Sequence, residues 1–492
     1  MSLRGPKTRV VDLRGRSLLP GFIDAHCHLT DYGMYLTGVD CRYPAVHSIA
    51  DIQEKIRAAA ETTPLGQWIR GWAYDHRKLR EGRHPTRWDL DPVAPHHPVI
   101  LYRTCFHIAV ANSRALELAG ITRETPDPQG GRIVRDVNGE PTGVLMDAAL
   151  KKLNALSHPS LQEIEQAVVQ AGRAFLAHGI TSIHDAGGPG PLLIQAAIAA
   201  RRAGRFSLRL YMLLWSGTAL EEVHNTYLAS RVGTGFGDDW FRIGHFKLMV
   251  DGSSSGPTAA MRAPYDSNPE NSGLLYYSPD EVVRLFTDAY SRGFQLTAHA
   301  VGDRAVEIVV NAMRAVLEGG TPLPVPPRIE HCGFVDPELL PQIKSLSIMP
   351  VVQPAFIYDF GDGYLMDYGV RTRYMFACRS FFDHGIVPVA SSDAPVTTPD
   401  PMLGIWSAIT RRTRSGQVVG AEQAVTLQEA LRMYTIHGAL ASGEGDRKGS
   451  LEVGKLADLI VLSDPILEVG IDTIRDVQVV MTVVDGQVAF ER

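Results

Sequence analysis

Short apolar runs separated by amphipathic stretches recur along the chain from about residue 170, and this alternation predicts repeated strand–helix units around a parallel sheet. The candidate strands read GITSIHDAG, SLRLYMLLW, RIGHFKLMV, FQLTAHAV, PRIEHCGF, SIMPVVQP and IVPVASSDA. With LPGFIDAHCHL near the start they make eight, the number that closes a barrel. The helices between them carry their own start signals. Ser278, Pro279 and Glu281 combine an N-cap, a proline at the first helical position and a capping-box acid, after which Val282, Leu285, Phe286 and Ala289 share one face. Thr426 and Glu429 open another helix in the same way. The expected fold is α/β, a (β/α)₈ TIM barrel.

Two segments break the repeat. Between the first and second strands lies far more chain than one crossover needs. It is rich in Trp, Pro and Gly, and it ends in the hairpin pattern GRIVRDVNGEPTGVL with the turn pair Asn138-Gly139. We assign residues 65–147 to an inserted α+β subdomain over the active-site rim, and residues 23–64 and 148–444 to the barrel. The strand-like runs TRVVDLRGRSLLPG, KGSLEVGKLADLIVLS and DVQVVMTVVDGQVAF place residues 1–22 and 445–492 in a small β-sandwich-like side domain.

Composition narrows the partners. The 492 residues are 45% hydrophobic with a net charge of −6, and no Lys/Arg cluster is long enough to follow a phosphate backbone, so no nucleic acid is expected. The opening MSLRGPKTRVVDLRG has charges where a signal peptide needs an apolar stretch, and no run reaches the length of a membrane span. The five cysteines, Cys27, Cys41, Cys105, Cys332 and Cys378, are scattered and odd in number, which argues against a disulfide framework and for a cytoplasmic location. The expected partner is a small-molecule substrate, with a homodimer as a possible assembly.

Polar residues at strand ends carry the chemistry. His26 and His28 flank Cys27 at the end of an apolar strand and, two residues apart, project from one face. An isolated H-x-H is weak evidence of a metal site. His299 and His331 end QLTAHAV and RIEHCGF, and Asp393 follows IVPVASS; alone, each is read more simply as a satisfied loop residue or a cap. Their spacing, one barrel unit and then two, puts the five groups on strands one, five, six and eight, which converge on one rim. Four histidines and an aspartate make the donor set of zinc or a similar divalent ion, with manganese or iron as substitutes.

Lys247 stands inside the apolar strand FRIGHFKLMVDG, where an ammonium is costly unless paired or neutralised. Carbon dioxide can add to the neutral amine, giving a carbamate able to bridge two metals. The plainer readings are a lysine that snorkels to the rim or pairs with Asp251. His245 lies on the same face, further from the rim. Residues of lower rank for substrate binding are His107, Trp72, Tyr265, Asp303 and Arg304, against which stand a folded-insert histidine, a core tryptophan, a packing tyrosine, a helix cap and a surface arginine.

The segments LPGFIDAHCHL, FKLMVDGSSSGPTAAM, TAHAVGDRAV, RIEHCGFV, SSDAPV and KLADLIVLS, in that order, resemble the amidohydrolase superfamily over almost the whole chain. The likeness is to its YtcJ-like branch, which includes N-substituted formamide deformylases. It implies His26 and His28 as strand-one ligands, carboxylated Lys247 as a bridge between two Zn²⁺ ions, His299 and His331 on the second metal, and Asp393 as ligand and proton shuttle. Family members usually carry more strands of the side sandwich ahead of LPGFIDAH, and the loop SSSGPTAAM departs from the Gly-Ser-Arg version they carry.

The expected reaction is hydrolysis of a linear, non-peptide C–N bond, in an N-formyl or N-acyl amine, by a metal-bridging hydroxide. Asp393 would take its proton and pass it to the leaving amine. The alternatives are a cyclic-amide hydrolase or a deaminase of the same superfamily, since fold does not choose the reaction. Lys247 counts against the deaminase. A non-catalytic scaffold is the remaining alternative, opposed by the presence of all six ligands.

Overall fold

The structure is a computed structural model and describes residues 5–6, 8, 10–187, 190–216 and 228–492, so residues 1–4 of the opening segment lie outside it. Eight strands lie side by side, all parallel: β1 (Phe22–Cys27), β2 (Ile180–Asp185), β3 (Arg209–Ser216), β4 (Phe241–Met249), β5 (Leu296–Ala300), β6 (Arg328–His331), β7 (Met349–Val352) and β8 (Val389–Ala390). They fall on the eight apolar runs of the sequence. The row closes on itself just beyond β1 and β8, where Asp393 N–H donates to the His26 carbonyl and His28 N–H to the Ala394 carbonyl, both at 2.8 Å.

Every residue of β5 and β6 is buried, as expected of strands enclosed between a barrel interior and an outer ring of helices. The helix Pro279–Ser291 starts on the Ser278–Glu281 capping box and buries Val282, Phe286 and Ala289. The helix Leu427–Met433 starts on Thr426 and Glu429.

Barrel interiors are usually filled by branched apolar side chains. This one contains a charged pair. Arg328 donates from Nε and Nη2 to the two carboxylate oxygens of Glu330, each at 2.9 Å, and further to the Ala25 carbonyl at 2.7 Å and to His184 Nδ1 at 2.8 Å. Both side chains are fully buried, and the forked geometry lets the two charges offset each other's loss of water.

The insert forms a six-stranded sheet in the order Val39–Asp40, Ile69–Tyr74, Val99–Arg103, Ile108–Ala111, Pro141–Asp147 and Gly131–Arg135. The last two strands are the hairpin, turning at Gly139 with φ +83°. Residues 39–64, assigned from sequence to the barrel, pair and pack with this sheet instead. Val39 lies opposite Gly71, and the helix Ile49–Thr62 buries Ile49, Ile52 and Ile56 against Ile69, Val99 and Leu101. Hydrophobic period shows that a helix has an apolar face, not which core that face meets. Thr104 Oγ1 donates to the Val396 carbonyl and Arg103 Nη2 to the Ser255 carbonyl, so the insert rests on loops that follow β8 and β4, over the C-terminal rim.

The two chain ends meet in one four-stranded antiparallel sheet, Leu18–Pro20, Leu459–Leu462, Val479–Val484 and Gln487–Glu491; among the described residues it has a single layer, where the sequence suggested a sandwich. It is tied to the barrel by Arg209, which donates from Nε and Nη2 to the Asp458 carboxylate at 2.6 and 2.8 Å. All five cysteines are buried thiols, and no helix among the described residues is long and apolar enough to cross a membrane.

Candidate metal centre

β1 delivers His26 to the rim, and His28 follows at the N-terminus of the helix Leu29–Thr37. His26 Nδ1 lies 2.6 Å from Glu330 Oε2, His28 Nδ1 lies 2.9 Å from the Gly187 carbonyl, and His331 Nδ1 lies 2.8 Å from Gln353 Oε1. The Gln353 amide nitrogen donates to Ser391 Oγ and the Val351 carbonyl, which leaves its oxygen as the acceptor. Each histidine therefore donates from Nδ1, and a ring that is neutral carries its lone pair on Nε2.

Those lone pairs converge on Asp393. Its Oδ1 is 3.4 Å from His26 Nε2 and 3.3 Å from His28 Nε2. Ligand atoms of His26, His331 and Asp393 all lie within 4.8 Å of one another. Asp393 reaches the cluster in the left-handed backbone region, φ +55°, and His331 does likewise at φ +67°. Such strain in non-glycine residues costs about 1–3 kcal/mol each and persists where surrounding bonds fix it. Here the Asp393 N–H bond to His26 is one of them.

Burial, reinforced by the field of Lys247, pushes His26 down to about 3, against the opposing pull of Asp393 and Glu330. Burial pushes the Asp393 carboxyl upward, but the surrounding histidines, His26 first and His28 and His331 with it, outweigh that and hold it well below the usual carboxylate range. Burial lowers His28, but Asp393 outweighs it and raises that ring, whereas burial lowers His331; neutral His26 and His331 beside an anionic carboxylate are in the protonation states that metal binding requires. Buried His26 Nε2 and Asp393 Oδ1 have no hydrogen-bond partner among the described residues. A lone pair facing a carboxylate oxygen is unfavourable unless a cation joins them, so this donor set fits a divalent ion.

Lys247 and His299 stand beside the cluster. Lys247, on β4, is 3% exposed, and its Nζ has no hydrogen-bond or ion-pair partner among the described residues. Burial lowers its pKa, opposed by the fields of Glu330, Asp393 and Asp185. Asp251 does not pair with it: that carboxylate accepts backbone N–H bonds from Val301, Gly302 and Ala260. His299 donates from Nε2 to the Gly252 carbonyl at 3.0 Å, and its ring lies 4.4 Å from that of His331. His245 sits lower in the barrel, between Tyr211 Oη and the Pro326 carbonyl.

Of the lower-ranked residues, only His107 comes near the cluster, its ring 5.7 Å from that of His299. Tyr265 is buried, donates to the Ala259 carbonyl and packs on Tyr368. Trp72 forms one aromatic cluster with Tyr102 and Phe106 in the insert, each ring stacked on the other two. Asp303 accepts the Arg262 N–H on the first turn of the helix Asp303–Leu317, and Arg304 is exposed; neither contacts the cluster among the described residues. The chain has left the strand by then, and the helix start carries both side chains off the rim.

Sequence reasoning passed over Glu330, Gln353, Asp147 and Tyr276, which orient the histidines. Glu330 carried a usable signal. Arg328 and Glu330 alternate inside an apolar strand, as Lys247 does in its own, and charges so placed must answer one another.

A family model described as Amidohydrolase family matches residues 9–490. The N-substituted formamide deformylase of Arthrobacter pascens is 33% identical over an alignment covering 99% of this chain and 91% of that protein. The putative amidohydrolase YtcJ of Bacillus subtilis is 28% identical with the same coverage. Among solved structures, an uncharacterized metal-dependent hydrolase from Pyrococcus horikoshii superposes with a TM-score of 0.75 at 27% identity, covering 95% of this chain and 90% of that one.

Proposed function

Since the chain belongs to the amidohydrolase family, and is on that ground a hydrolytic enzyme, we propose that it cleaves a non-peptide C–N bond in a linear amide, an N-formyl or N-acyl amine. The observation that carries this reading is the convergence of His26, His28 and His331, each with Nδ1 engaged, on the anionic Asp393. Linear rather than cyclic substrate is supported by the likeness to a formamide deformylase, and metal dependence by the likeness to a metal-dependent hydrolase.

His26, His28, His331 and Asp393 would hold one divalent ion. His299 and a carbamate on Lys247 would complete a centre for two, with zinc as the expected metal. The buried amine, its pKa lowered and without a hydrogen-bond partner among the described residues, supports that carbamate, since only a neutral amine adds carbon dioxide. When bound, such ions supply Lewis acidity, making water acidic enough to react near neutral pH and polarising a carbonyl. Asp393, anionic and fixed by its backbone bond to His26, accepts a proton from the attacking water. The insert rests on the β4 and β8 loops, over the rim from which substrate would enter.

The test is metal analysis of protein purified without chelator, with hydrolysis assays on N-formyl and N-acyl amines, hydantoins and nucleobases. Bound divalent metal and turnover of the linear amides are expected. Turnover confined to cyclic compounds would replace this reading with the cyclic-amide one, and metal-free, inactive protein that zinc or manganese does not restore would favour the scaffold.

A further inference from the structure

Three separate segments converge to fix one imidazole at the mouth of the barrel. His107 ends the turn that joins the insert strands Val99–Arg103 and Ile108–Ala111, and its Nδ1 lies 2.7 Å from Asp147 Oδ1. Asp147 in turn donates its backbone N–H to the His107 carbonyl at 2.7 Å. Tyr276, placed by its own backbone bond to Val250 after β4, donates from Oη to the same Asp147 oxygen at 2.6 Å, and its Oη lies 3.5 Å from His107 Nδ1. Phe106 and Asp147 both hold left-handed backbones, φ +61° and +49°, without being glycine. Strain of that kind gathers at sites where one side chain must be aimed.

The hydrogen bonding fixes the tautomer. A carboxylate accepts and cannot donate, and here it receives the tyrosine proton as well, so His107 carries its proton on Nδ1. Neutral His107 therefore presents an acceptor at Nε2, which has no hydrogen-bond partner among the described residues, on a ring 5.7 Å from that of His299 and 12% exposed as a side chain. Asp147 is 2% exposed, and its second oxygen is buried without a partner among the described residues. The imidazoles of His28, His26, His331, His299 and His107 follow one another at centroid separations of 5.5, 4.9, 4.4 and 5.7 Å, with Asp393 against the first two and His107 at the far end.

We propose that His107 Nε2 accepts the N–H of the scissile amide, so that the enzyme selects secondary amides, which have that hydrogen, over N,N-disubstituted ones, which lack it. This rests on the linear-amide reading and narrows it. A half-buried acceptor aimed to meet a substrate N–H is left unpaired by a tertiary amide, and sites of that kind discriminate between the two.

The experiment compares kcat/KM on N-butylformamide and N-butyl-N-methylformamide for the metal-loaded wild type, His107→Leu and Asp147→Asn. His107→Leu keeps much of the volume and removes the acceptor. Asp147→Asn lets the amide donate to Nδ1 and moves the imidazole proton to Nε2. The wild type is expected to prefer the secondary amide by at least about tenfold, and both variants to bring the ratio within about threefold. A purely structural role would lower both rates together and leave the ratio intact. That result, or a wild type that takes both formamides alike, overturns the role of His107 while the linear-amide reading stands. A metal-loaded wild type that hydrolyses neither these formamides nor the matching acetamides removes both.

Discussion

Replacing Glu330 by glutamine keeps the shape of the side chain and removes its charge. The carboxylate holds three groups: Arg328 at 2.9 Å on each oxygen, Thr297 Oγ1 at 2.7 Å and His26 Nδ1 at 2.6 Å. With glutamine, one oxygen still accepts from Arg328 and Thr297, but the amide nitrogen must face His26 as a donor. Nδ1 then becomes the acceptor, and the proton moves to Nε2, the atom 3.4 Å from Asp393. Losing a carboxylate that orients a ligating histidine typically costs about 10–100-fold in metal affinity, or roughly 1.4–2.7 kcal/mol. Stability falls as well. Arg328 keeps the Ala25 carbonyl and His184 but loses its counter-charge in a fully buried place, at a cost of about 3 kcal/mol. Competition with a calibrated chelator measures the first effect and thermal unfolding of the metal-free protein the second. Thr297→Val is the control, because it loosens the same carboxylate without turning His26. An E330Q protein that binds metal within about twofold of wild type would refute the assignment of Glu330 as the group that orients His26.

Lys247→Ala should lower kcat/KM about 100-fold or more if the carbamate holds the centre together. Protein equilibrated with ¹³C-bicarbonate should show a carbamate carbon resonance that the variant lacks. Asp458→Ala leaves the buried Arg209 guanidinium with the longer Asp485 contact at 3.4 Å as its remaining ion pair, and a loss of about 3 kcal/mol is expected in denaturant unfolding, with kcat little changed at low temperature. At Gly33 an added Cβ would sit 2.1 Å from the Ala167 carbonyl oxygen, where the helices Leu29–Thr37 and Leu161–Ala177 meet. Gly33→Ala should cost about 1–3 kcal/mol, read as a lower melting temperature, and an unchanged one would show that the helix pair yields.

The barrel was readable because each strand is a short run buried on both faces and each helix announces its start, as Ser278 and Thr426 do. The cluster was readable because strand ends are where a barrel puts chemistry, and His26, His331 and Asp393 do come together. Two things stayed hidden for different physical reasons. The extent of the insert depends on which core the Ile49–Thr62 helix chooses, and an apolar stripe does not name its partner. The groups that orient the histidines lie far off in the chain: Glu330 is 304 positions from His26, and spacing rules speak only of residues on one element. Asp303 and Arg304 show how a charged pair just past a strand end, which reads from sequence as a rim residue, also stands on the first turn of a helix.

The barrel's seam also sets a clock. Its closing bonds join residues near the two ends of the barrel sequence: Asp393 and Ala394 bond to His26 and His28, and Ser392 donates from N and Oγ to Asp24, 368 positions away. Contacts across such a span form late, after most of the chain has left the ribosome. The same residues that shut the sheet bring the last carboxylate to the histidines. A nascent or truncated chain ending before Asp393 would carry every imidazole and still lack the anion on which they converge. Activity is therefore a property of the finished molecule, and a half-made barrel would present no premature hydrolase to the cell.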